Sequence, residues 1–507
     1  MIVIGLFLLA LLKSAIFSLY GFGLLDQGQM LHNGQRILSG DLPYRDFFAV
    51  FPPAYNYIFA LIFKIFGQSV FISRLVLSVF FSFVPVLIFL ITKKILTRNL
   101  GIVLAVLIIF MDVNIERLYF FAPILLGIYF YISWLQTSNK NLLFWAGLSL
   151  GFASFFRLDI SGIFGLGMVI SSVISLKESG KKWIRDWLIY CFRLGLGYFI
   201  PVAFMVNFLI INDLFYFFFD NTIIQSIYIT KLHHLPFPLI TDLLPVKFSI
   251  SWLASLYQIM YSNLLLFTYL VSIIVLVHKW KFFWTKKPWF GFFLISGLLT
   301  LPYVLGRTEP GHLLKGGIPF FFLSGYFLKK IYEGKNLIYK LIGNLIIIAF
   351  FSATLFESLY WIKFNDSSIL INNYNLRLNT SFPADSTIPS KQTLKESVEF
   401  IDINSKKMED VLVLPYMAGL YFLSDRQSPT RFDNVLNGYI PTSAKEELFI
   451  NQIKHVKVIV YDPLHGPKMG KPRLIDYNPL IHQFIMNNYK IYQQTPEGWL
   501  FMLKKDT

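Results

Sequence analysis

The chain has 507 residues, of which 55% are hydrophobic and only 15% are charged, and its formal net charge is +16. Its mean hydropathy is +0.58. Soluble domains carry more charge and less apolar surface, so this composition excludes an ordinary soluble protein and indicates an integral membrane protein. Nucleic-acid binding is excluded as well, because basic residues interleaved with aromatic ones occur only beside the predicted spans. There they mark cytoplasmic loops and contacts with membrane lipids.

The first apolar segment is predicted to stay in the membrane as an uncleaved span. Lys13 lies inside the apolar run rather than before it, and no small-residue cleavage site follows, so a signal peptide does not fit. The single cysteine, Cys191, cannot form an internal disulfide and says nothing about the redox compartment.

About eleven segments are apolar enough to be spans, since a helix needs roughly 20 apolar residues to cross the bilayer core. The third and sixth of them are short. The segments lie near residues 1–21, 72–97, 100–114, 118–136, 141–157, 160–176, 188–211, 262–278, 289–305, 313–328 and 337–358.

Clusters of Lys and Arg between the spans predict the orientation, because short basic loops are retained in the cytoplasm. If the N-terminus is cytoplasmic, the clusters after the second, sixth, eighth and tenth spans all lie on the cytoplasmic side. The same count places residues 22–71, residues 212–262 and the tail from residue 362 outside. We expect a multi-pass protein of the cell inner (plasma) membrane that functions at its outer face.

The first outer loop is too polar for a span and too apolar for a free loop, so it is predicted to lie on the membrane surface. Its pattern predicts a helix over Asp26–Leu38, a turn over Ser39–Pro43 and an amphipathic helix over Pro53–Phe66, which begins with proline. Asp26 follows the first span directly, at the height where water meets lipid phosphate.

Four sequence features of this loop occur together. They are Leu-Leu-Asp26-Gln-Gly, then Ile37-Leu-Ser-Gly-Asp-Leu-Pro-Tyr-Arg-Asp-Phe-Phe, then Pro52-Pro-Ala-Tyr, and Phe66-Gly-Gln-Ser before Arg74. Together they resemble the GT-C class of membrane glycosyltransferases, in particular the branch of protein O-mannosyltransferases and aminoarabinose transferases (glycosyltransferase family 39-like). Many relatives have two adjacent acids where this chain has Asp26 and Gln27, and this departure weakens the transfer of a metal site.

The resemblance implies a polyprenyl-phosphate sugar donor and an acceptor activated by the acid of the first loop. Asp26 would be the general base for the acceptor hydroxyl. Arg45, Asp46 and Arg74 would contact substrate, the cations stabilising the departing phosphate. The alternatives are that Asp26 caps the following helix and that Arg45 and Asp46 form a local ion pair.

Two other junctions between spans carry charged residues on the predicted outer face. Arg157 and Asp159 interrupt an apolar stretch, and by resemblance Arg157 would contact the donor phosphate; a self-neutralising pair is the alternative. Arg307, Glu309 and His312 resemble a turn found in bacterial members of the superfamily, and Arg can hold phosphate through two hydrogen bonds. The alternative for that turn is solvated charges without a role.

The tail changes composition and is predicted to be a separate region. We expect a transmembrane domain over residues 1–361, a linker over 362–394 and a soluble extracytoplasmic α/β domain over 395–507. Its predicted elements are a helix over Lys395–Asn404 and strands over Asp410–Pro415, Lys457–Tyr461 and Trp499–Lys504. A role in acceptor binding, or in covering the membrane site, is assigned to it.

The sequence therefore predicts a polytopic α-helical membrane protein that is GT-C-like, with about 11 transmembrane helices and an outer α/β domain. The predicted function is inverting transfer of a hexosyl or pentosyl unit from a polyprenyl-phosphate donor to a protein, lipid or glycan acceptor. A divalent metal is allowed by the resemblance but not required. Two rivals remain: a transporter or flippase for lipid-linked glycans, and a non-enzymatic envelope assembly protein.

Overall fold

The computed structural model divides the chain into two compact units. The first comprises Met1–Phe17, Leu75–Asn207 and His234–Tyr360, and the second comprises Ser18–Arg74, Phe208–His233 and Trp361–Thr507. The residues that the structure describes are 1–18, 22–111, 119–180, 183–232, 237–238, 250–306, 308, 310–341, 343–345, 347–349, 351–352, 369–371, 376–378, 391–464 and 472–505.

Helices dominate the first 333 residues. In chain order they are α1 (Ile2–Phe17), α2 (Asp26–Leu38), α3 (Pro53–Phe66), α4 (Val70–Ile95), α5 (Arg98–Met111), α6 (Phe121–Thr137), α7 (Asn141–Ala153), α8 (Leu158–Ser179), α9 (Trp183–Ile211), α10 (Phe215–Phe219), α11 (Ser226–Leu232), α12 (Ile250–His278), α13 (Trp280–Lys286), α14 (Pro288–Gly306) and α15 (Pro310–Glu333). A π-helical turn, Asp220–Gln225, joins α10 to α11.

Within the described residues, five helices are long and apolar enough to cross a membrane: α4, α8, α9, α12 and α14. The first ten predicted spans each overlap a helix of the first 333 residues. The sixth span is longer than predicted, because α8 has 22 residues. The eleventh, residues 337–358, lies partly outside the described residues.

The first unit is a bundle of apolar helices that pack through small and aromatic side chains. Leu6 and Ala10 of α1 pack against Val86 and Phe89 of α4 and against Ala105 of α5. At another place in the bundle, α14 packs between α8 and α15. Close packing of this kind replaces the hydrophobic effect as the main attraction between helices in lipid.

In the second unit, the structure confirms both helices predicted for the first outer loop, with the predicted bounds. Helix α2 is polar, whereas α3 is apolar, and the two pack against each other. Most of α2 is buried, so its Gln, His and Asn side chains require polar partners.

The tail adds a small α/β fold to this unit. Its helices are α16 (Lys391–Asn404), α17 (Gly419–Ser424), α18 (Ser443–Ile453), α19 (Leu474–Tyr477) and α20 (Pro479–Asn488), and its strands are β1 (Ile369–Ile371), β2 (Leu376–Leu378), β3 (Leu412–Leu414), β4 (Val458–Tyr461), β5 (Tyr489–Gln494) and β6 (Leu500–Lys504). The three predicted strands and the predicted helix overlap β3, β4, β6 and α16.

The tail contains a four-stranded sheet in the order β3-β4-β6-β5. The β3–β4 pair is parallel, and the other two pairs are antiparallel. Phe48 of the first outer loop is buried in the same hydrophobic cluster as Leu412, Ile459 and Met502 of this sheet. The first loop therefore completes the core of the tail and is grouped with it, whereas the sequence predicted residues 22–71 as part of the transmembrane domain.

A pair of glycines brings α2 against α17. A Cβ atom on Gly28 would lie 2.3 Å from the Cα atom of Gly419. The Gly419 N–H also donates to the carbonyl oxygen of Leu24, at 2.8 Å. Only glycine fits such a close approach of two backbones.

We expect Gly28→Ala to destabilise the second unit by about 1–3 kcal/mol, because the added methyl group must push α2 and α17 apart. The measurement is the thermal unfolding midpoint of the purified protein, together with proteolysis of the tail. Gly23→Ala is the control, since its Cβ would find its nearest neighbour at 3.6 Å. Equal stability of the two variants would contradict this account of the contact.

Candidate active site

Asp26 is the first residue of α2, and its side chain is exposed. The N-cap position belongs to Leu25, which makes no side-chain cap hydrogen bond, so Asp26 does not act as the N-cap residue. An acidic side chain in the first turn is favoured by the helix dipole. The structure thus presents a carboxylate at the start of a helix that is otherwise largely buried.

Arg74 is buried and holds the segment around Asp26. Its Nη2 donates to Gln27 Oε1 at 2.5 Å, and its Nη1 donates to the carbonyl oxygen of Ser18 at 3.2 Å. The side-chain oxygen of Gln27 also accepts from the backbone N–H of Gly23. Arg74 is therefore a positioning residue in this structure, and its predicted contact with substrate stays a prediction.

Arg45 and Asp46 form the local ion pair that was the alternative to a substrate role. Arg45 Nε and Nη2 donate to the two carboxylate oxygens of Asp46, both at 2.9 Å. The hydrogen bond from Arg45 keeps the pKa of Asp46 below its ordinary value. The Arg45 side chain is 45% exposed, so this pair contributes little stability.

Arg36 is an extensively hydrogen-bonded side chain of the first loop. It donates to the Asp41 carboxylate at 2.7 Å and to the Asp433 carboxylate at 2.8 Å. It also donates to the backbone carbonyl oxygens of Thr430 and Asp46. Burial alone would lower the pKa of Arg36, but the charges of the two carboxylates outweigh it and raise that pKa. The first loop and the tail are thus joined by a buried ion pair.

His32 lies beside this pair, one turn earlier on α2. Its ring stacks on Tyr421 of α17, with the centroids 4.9 Å apart, and its Nδ1 lies 3.3 Å from Gln35 Oε1. Its Nε2 is 3.8 Å from the Asp433 carboxylate. Burial lowers the pKa of His32 in spite of the charge of Asp433. The imidazole is therefore neutral near pH 7.

Three separate segments of the second unit meet at the backbone carbonyl of Tyr44. Arg431 Nη2 donates to this oxygen at 2.9 Å, and Asn221 Nδ2 donates to it at 3.3 Å. Arg431 Nη2 also donates to Asn221 Oδ1. Tyr44 has a φ of 72°, which is unfavourable for a bulky residue. Its hydroxyl group stabilises this conformation by donating to the carbonyl oxygen of Phe51.

Residues of the tail form hydrogen bonds with residues before and after Asp26 in the sequence. Gly419 bonds to Leu24 before it, and Asn434 Nδ2 donates to Gln29 Oε1 after it. The nearby hydroxyl of Tyr439 is influenced by Asp26, since burial raises the pKa of Tyr439 and the Asp26 carboxylate raises it further. The surroundings of Asp26 therefore include tail residues.

The first unit contains the other predicted cluster. Arg157, whose side chain is 5% exposed, donates to both oxygens of Asp159 at 2.9 and 2.6 Å and to the Tyr303 hydroxyl at 3.2 Å. The rings of Phe120 and Tyr303 lie 5.5 and 5.6 Å from its guanidinium carbon. The predicted alternative of a paired Arg157 and Asp159 is present, although the Asp159 side chain is 51% exposed.

The third predicted cluster cannot be placed in the same way. Arg307 and Glu309 lie outside the described residues, and of His312 only the position in the first turn of α15 is described. Among the described residues, no three His, Cys, Asp or Glu side chains form a group that could hold a metal ion. The side-chain oxygen of Gln27, the residue next to Asp26, already accepts a hydrogen bond from Arg74.

Sequence reasoning missed the polar network around Arg36, His32 and Asp433. A signal was present, because a polar helix beside a membrane needs hydrogen-bonding partners whenever it is buried.

The role of Lys13 was missed as well, since from the sequence this residue counted only against a signal peptide. In the structure Lys13 is 5% exposed, and its ammonium lies 4.8 Å from the centroid of the Phe17 ring. A buried lysine in an apolar helix is by default a candidate for function.

No protein-family model and no curated protein matches the chain. Solved structures do. ArnT from Cupriavidus metallidurans, bound to undecaprenyl phosphate, superposes with a TM-score of 0.57 at 10% identity, over 99% of this chain and 97% of that chain. AglB from Archaeoglobus fulgidus, in complex with an inhibitory peptide and a dolichol-phosphate, gives 0.54 at 10% identity over 99% and 74%.

A second structure of the Archaeoglobus fulgidus oligosaccharyltransferase, tethered with an acceptor peptide, gives a TM-score of 0.52 at 12% identity, over 99% of this chain and 74% of that chain. Identities this low establish the fold alone. The chain has the fold of the GT-C membrane glycosyltransferases and is a multi-pass membrane protein. The resemblance predicted from the first loop is confirmed at this level.

We expect Asp433→Asn to destabilise the second unit by about 3 kcal/mol or more, because it leaves the charge of Arg36 buried without its main partner. The measurement is the thermal unfolding midpoint in detergent, converted to a free energy. Glu399→Gln is the control: it breaks an exposed pair with Lys395 on α16, which is worth about 0–1 kcal/mol. Similar shifts for both variants would mean that the buried pair is not important for stability.

His32 predicts a loss of stability in acid. Its pKa in the folded protein is lower than the ordinary 6.5, so the unfolded chain takes up the proton first. The stabilisation that neutral, buried His32 gives the folded state is complete above pH 6.5. It is lost as the pH falls through 6.5 towards the lower pKa of His32 in the folded state. The unfolding midpoint should therefore fall less between pH 7 and 5 in His32→Gln than in the unaltered protein. An unchanged fall in His32→Gln would disprove the assignment.

Proposed function

We propose that this chain, which has the GT-C fold, transfers one sugar from a polyprenyl-phosphate donor to an acceptor at the outer face of the cell inner membrane. The observation that supports this most directly is the exposed carboxylate of Asp26 at the first turn of α2. Two of the neighbours named above were solved with undecaprenyl phosphate and with dolichol-phosphate. A polyprenyl phosphate is accordingly the donor class that we propose.

In the proposed reaction, Asp26 is the general base. The acceptor hydroxyl transfers its proton to the Asp26 carboxylate while its oxygen forms a bond to the anomeric carbon. The bond between that carbon and the phosphate oxygen breaks, and the electron pair leaves with the polyprenyl phosphate. A single displacement of this kind inverts the configuration of the sugar, which would be a hexosyl or pentosyl unit.

Two of the other predicted acids already take part in ion pairs. Asp46 and Asp159 each accept two hydrogen bonds from an arginine that is a near neighbour in the sequence. A carboxylate stabilised in this way is a weaker base. Asp26 lies on a helix held by Arg74 and by the backbone of Gly419, and such support keeps a catalytic group in position.

We propose that cations stabilise the negative charge of the departing phosphate. Arg157 is the first candidate, because the aromatic rings of Phe120 and Tyr303 and the carboxylate of Asp159 orient its guanidinium. Arg307 and His312 are proposed for the same role, with Glu309 beside them. The predicted substrate contacts of Arg45, Asp46 and Arg74 are secondary to the structural bonds that these residues make.

The proposed topology has about eleven spans, a cytoplasmic N-terminus and an extracytoplasmic tail. It follows from the distribution of Lys and Arg between the spans. The tail would then bind the acceptor, a protein, lipid or glycan that offers a hydroxyl group beside Asp26. The position of Tyr439 and Gly419 near the start of α2 supports this role.

The test is Asp26→Asn, which keeps the shape of the side chain but removes the base. A deletion strain is complemented with this variant, and its envelope glycoconjugates are compared by mass spectrometry. We expect the glycan that is lost on deletion to return with the unaltered protein and to fall about 10²–10⁴-fold with the variant at equal expression.

Asp213→Asn is the matched control, because Asp213 has a φ of 54°, a conformation that asparagine also accepts. This variant should restore the glycan fully. Full restoration by Asp26→Asn would rule out Asp26 as the base, and a deletion strain with unaltered glycoconjugates would count against the transferase itself.

A further inference from the structure

A groove in the first unit lies between α7 and α9 and has no part in the proposed transfer. Its volume is about 810 Å³, and its lining includes Phe144 and Trp145 of α7 and Phe192 of α9. Trp145 and Phe192 are 49% and 68% exposed. Large aromatic side chains so exposed on a membrane helix face lipid rather than water.

The groove exists because α7 and α9 cross closely and have different lengths. Cβ atoms built on Gly147 and Gly197 would lie 2.0 and 2.2 Å from backbone oxygens of the opposite helix, so the two backbones are in contact there. Helix α7 begins at Asn141, whereas α9 begins at Trp183 and carries the exposed side chains of Leu188 and Phe192 beside that point. The start of α7 therefore leaves one side of α9 uncovered.

Two basic side chains lie at the start of α7, one from the N-cap of this helix and one from α9. Lys140 is its N-cap residue, and Arg193 Nη1 donates to Asn141 Oδ1 at 2.9 Å. All three residues line the groove, and none of its described lining residues is acidic. The surface thus combines exposed aromatic side chains with two positive charges and an amide at one level.

The side of the membrane on which these charges lie indicates which lipids can reach them. Lys140 lies in the turn between α6 and α7, which belongs to the cytoplasmic side in the proposed topology. The lipids of that leaflet include the anionic ones, which attract basic residues near the membrane surface. An anionic headgroup and its attached acyl chains match the charges and the apolar walls of this groove.

We propose that the groove binds an anionic glycerophospholipid of the cytoplasmic leaflet, with its phosphate between Lys140 and Arg193 and its acyl chains along Phe144, Trp145 and Phe192. The headgroup bridges the start of α7 to α9 and joins two helices of the bundle. This site is independent of the proposed sugar transfer, because Asp26 and the other residues assigned to that reaction do not line it.

The test is native mass spectrometry of the full-length protein in detergent, with palmitoyl-oleoyl phosphatidylglycerol compared with palmitoyl-oleoyl phosphatidylcholine. We expect the first bound phosphatidylglycerol to have the higher affinity. Lys140→Gln should lower the affinity for the first phosphatidylglycerol about 5-fold. The double variant Lys140→Gln with Arg193→Gln should lower this affinity about 30-fold. Phosphatidylcholine binding should change little.

Lys279→Gln with Lys281→Gln is the control, because it removes two exposed cations that do not line the groove. It should leave the preference intact. The single variant at Lys140, an exposed turn residue, keeps the test valid if the double variant does not fold. The proposal is overturned if the unaltered protein shows no preference, if Lys140→Gln retains the full preference, or if undecaprenyl phosphate displaces the bound phosphatidylglycerol.

Discussion

The guanidinium of Arg36 is the group on which the second unit depends. Its side chain is 11% exposed, and it donates to acceptors in both the first outer loop and the tail. A buried charge that loses a partner is left uncompensated in a medium of low polarity, which costs several kcal/mol. The loop and the tail are consequently stable together, and neither has its full set of partners alone.

This dependence explains how so polar a helix as α2 can be buried. Its side chains find their partners in segments far away in the chain: Arg36 bonds to Asp433, Gln29 to Asn434, and His32 stacks on Tyr421. Because Asp26 begins this helix, the tail determines how rigidly the carboxylate is presented. The base that we propose would therefore need no large rearrangement before reaction.

In the membrane half, short helices and glycines determine the packing. Helix α7 has 13 residues and is about 20 Å long, which is less than the thickness of the hydrocarbon core. Its backbone is shielded instead by close contact with α9 at Gly147 and Gly197. The same difference in length exposes the groove beside Trp145, so one packing solution both protects α7 and creates a lipid-facing surface.

The sequence by itself determined the membrane class, ten of the helices that overlap predicted spans, and both helices of the first loop with their bounds. These features follow from local patterns: apolar length, proline at a first turn and the alternation of polar and apolar residues. It also pointed to the GT-C fold through motifs that lie within about fifty contiguous residues. The pairing of Arg157 with Asp159 and of Arg45 with Asp46 was foreseen as an alternative, since these partners are near neighbours in the chain.

Only the tertiary structure decided that Phe48 completes the core of the tail and that Arg36 pairs with Asp433. It also decided that Arg74 supports the segment of Asp26 and that Asp26 does not hold the N-cap position. The partners in the first two cases lie more than 350 residues apart, and no local pattern encodes which distant polar side chain will meet another. That choice is made when the segments pack together, because each buried polar group must then find a partner.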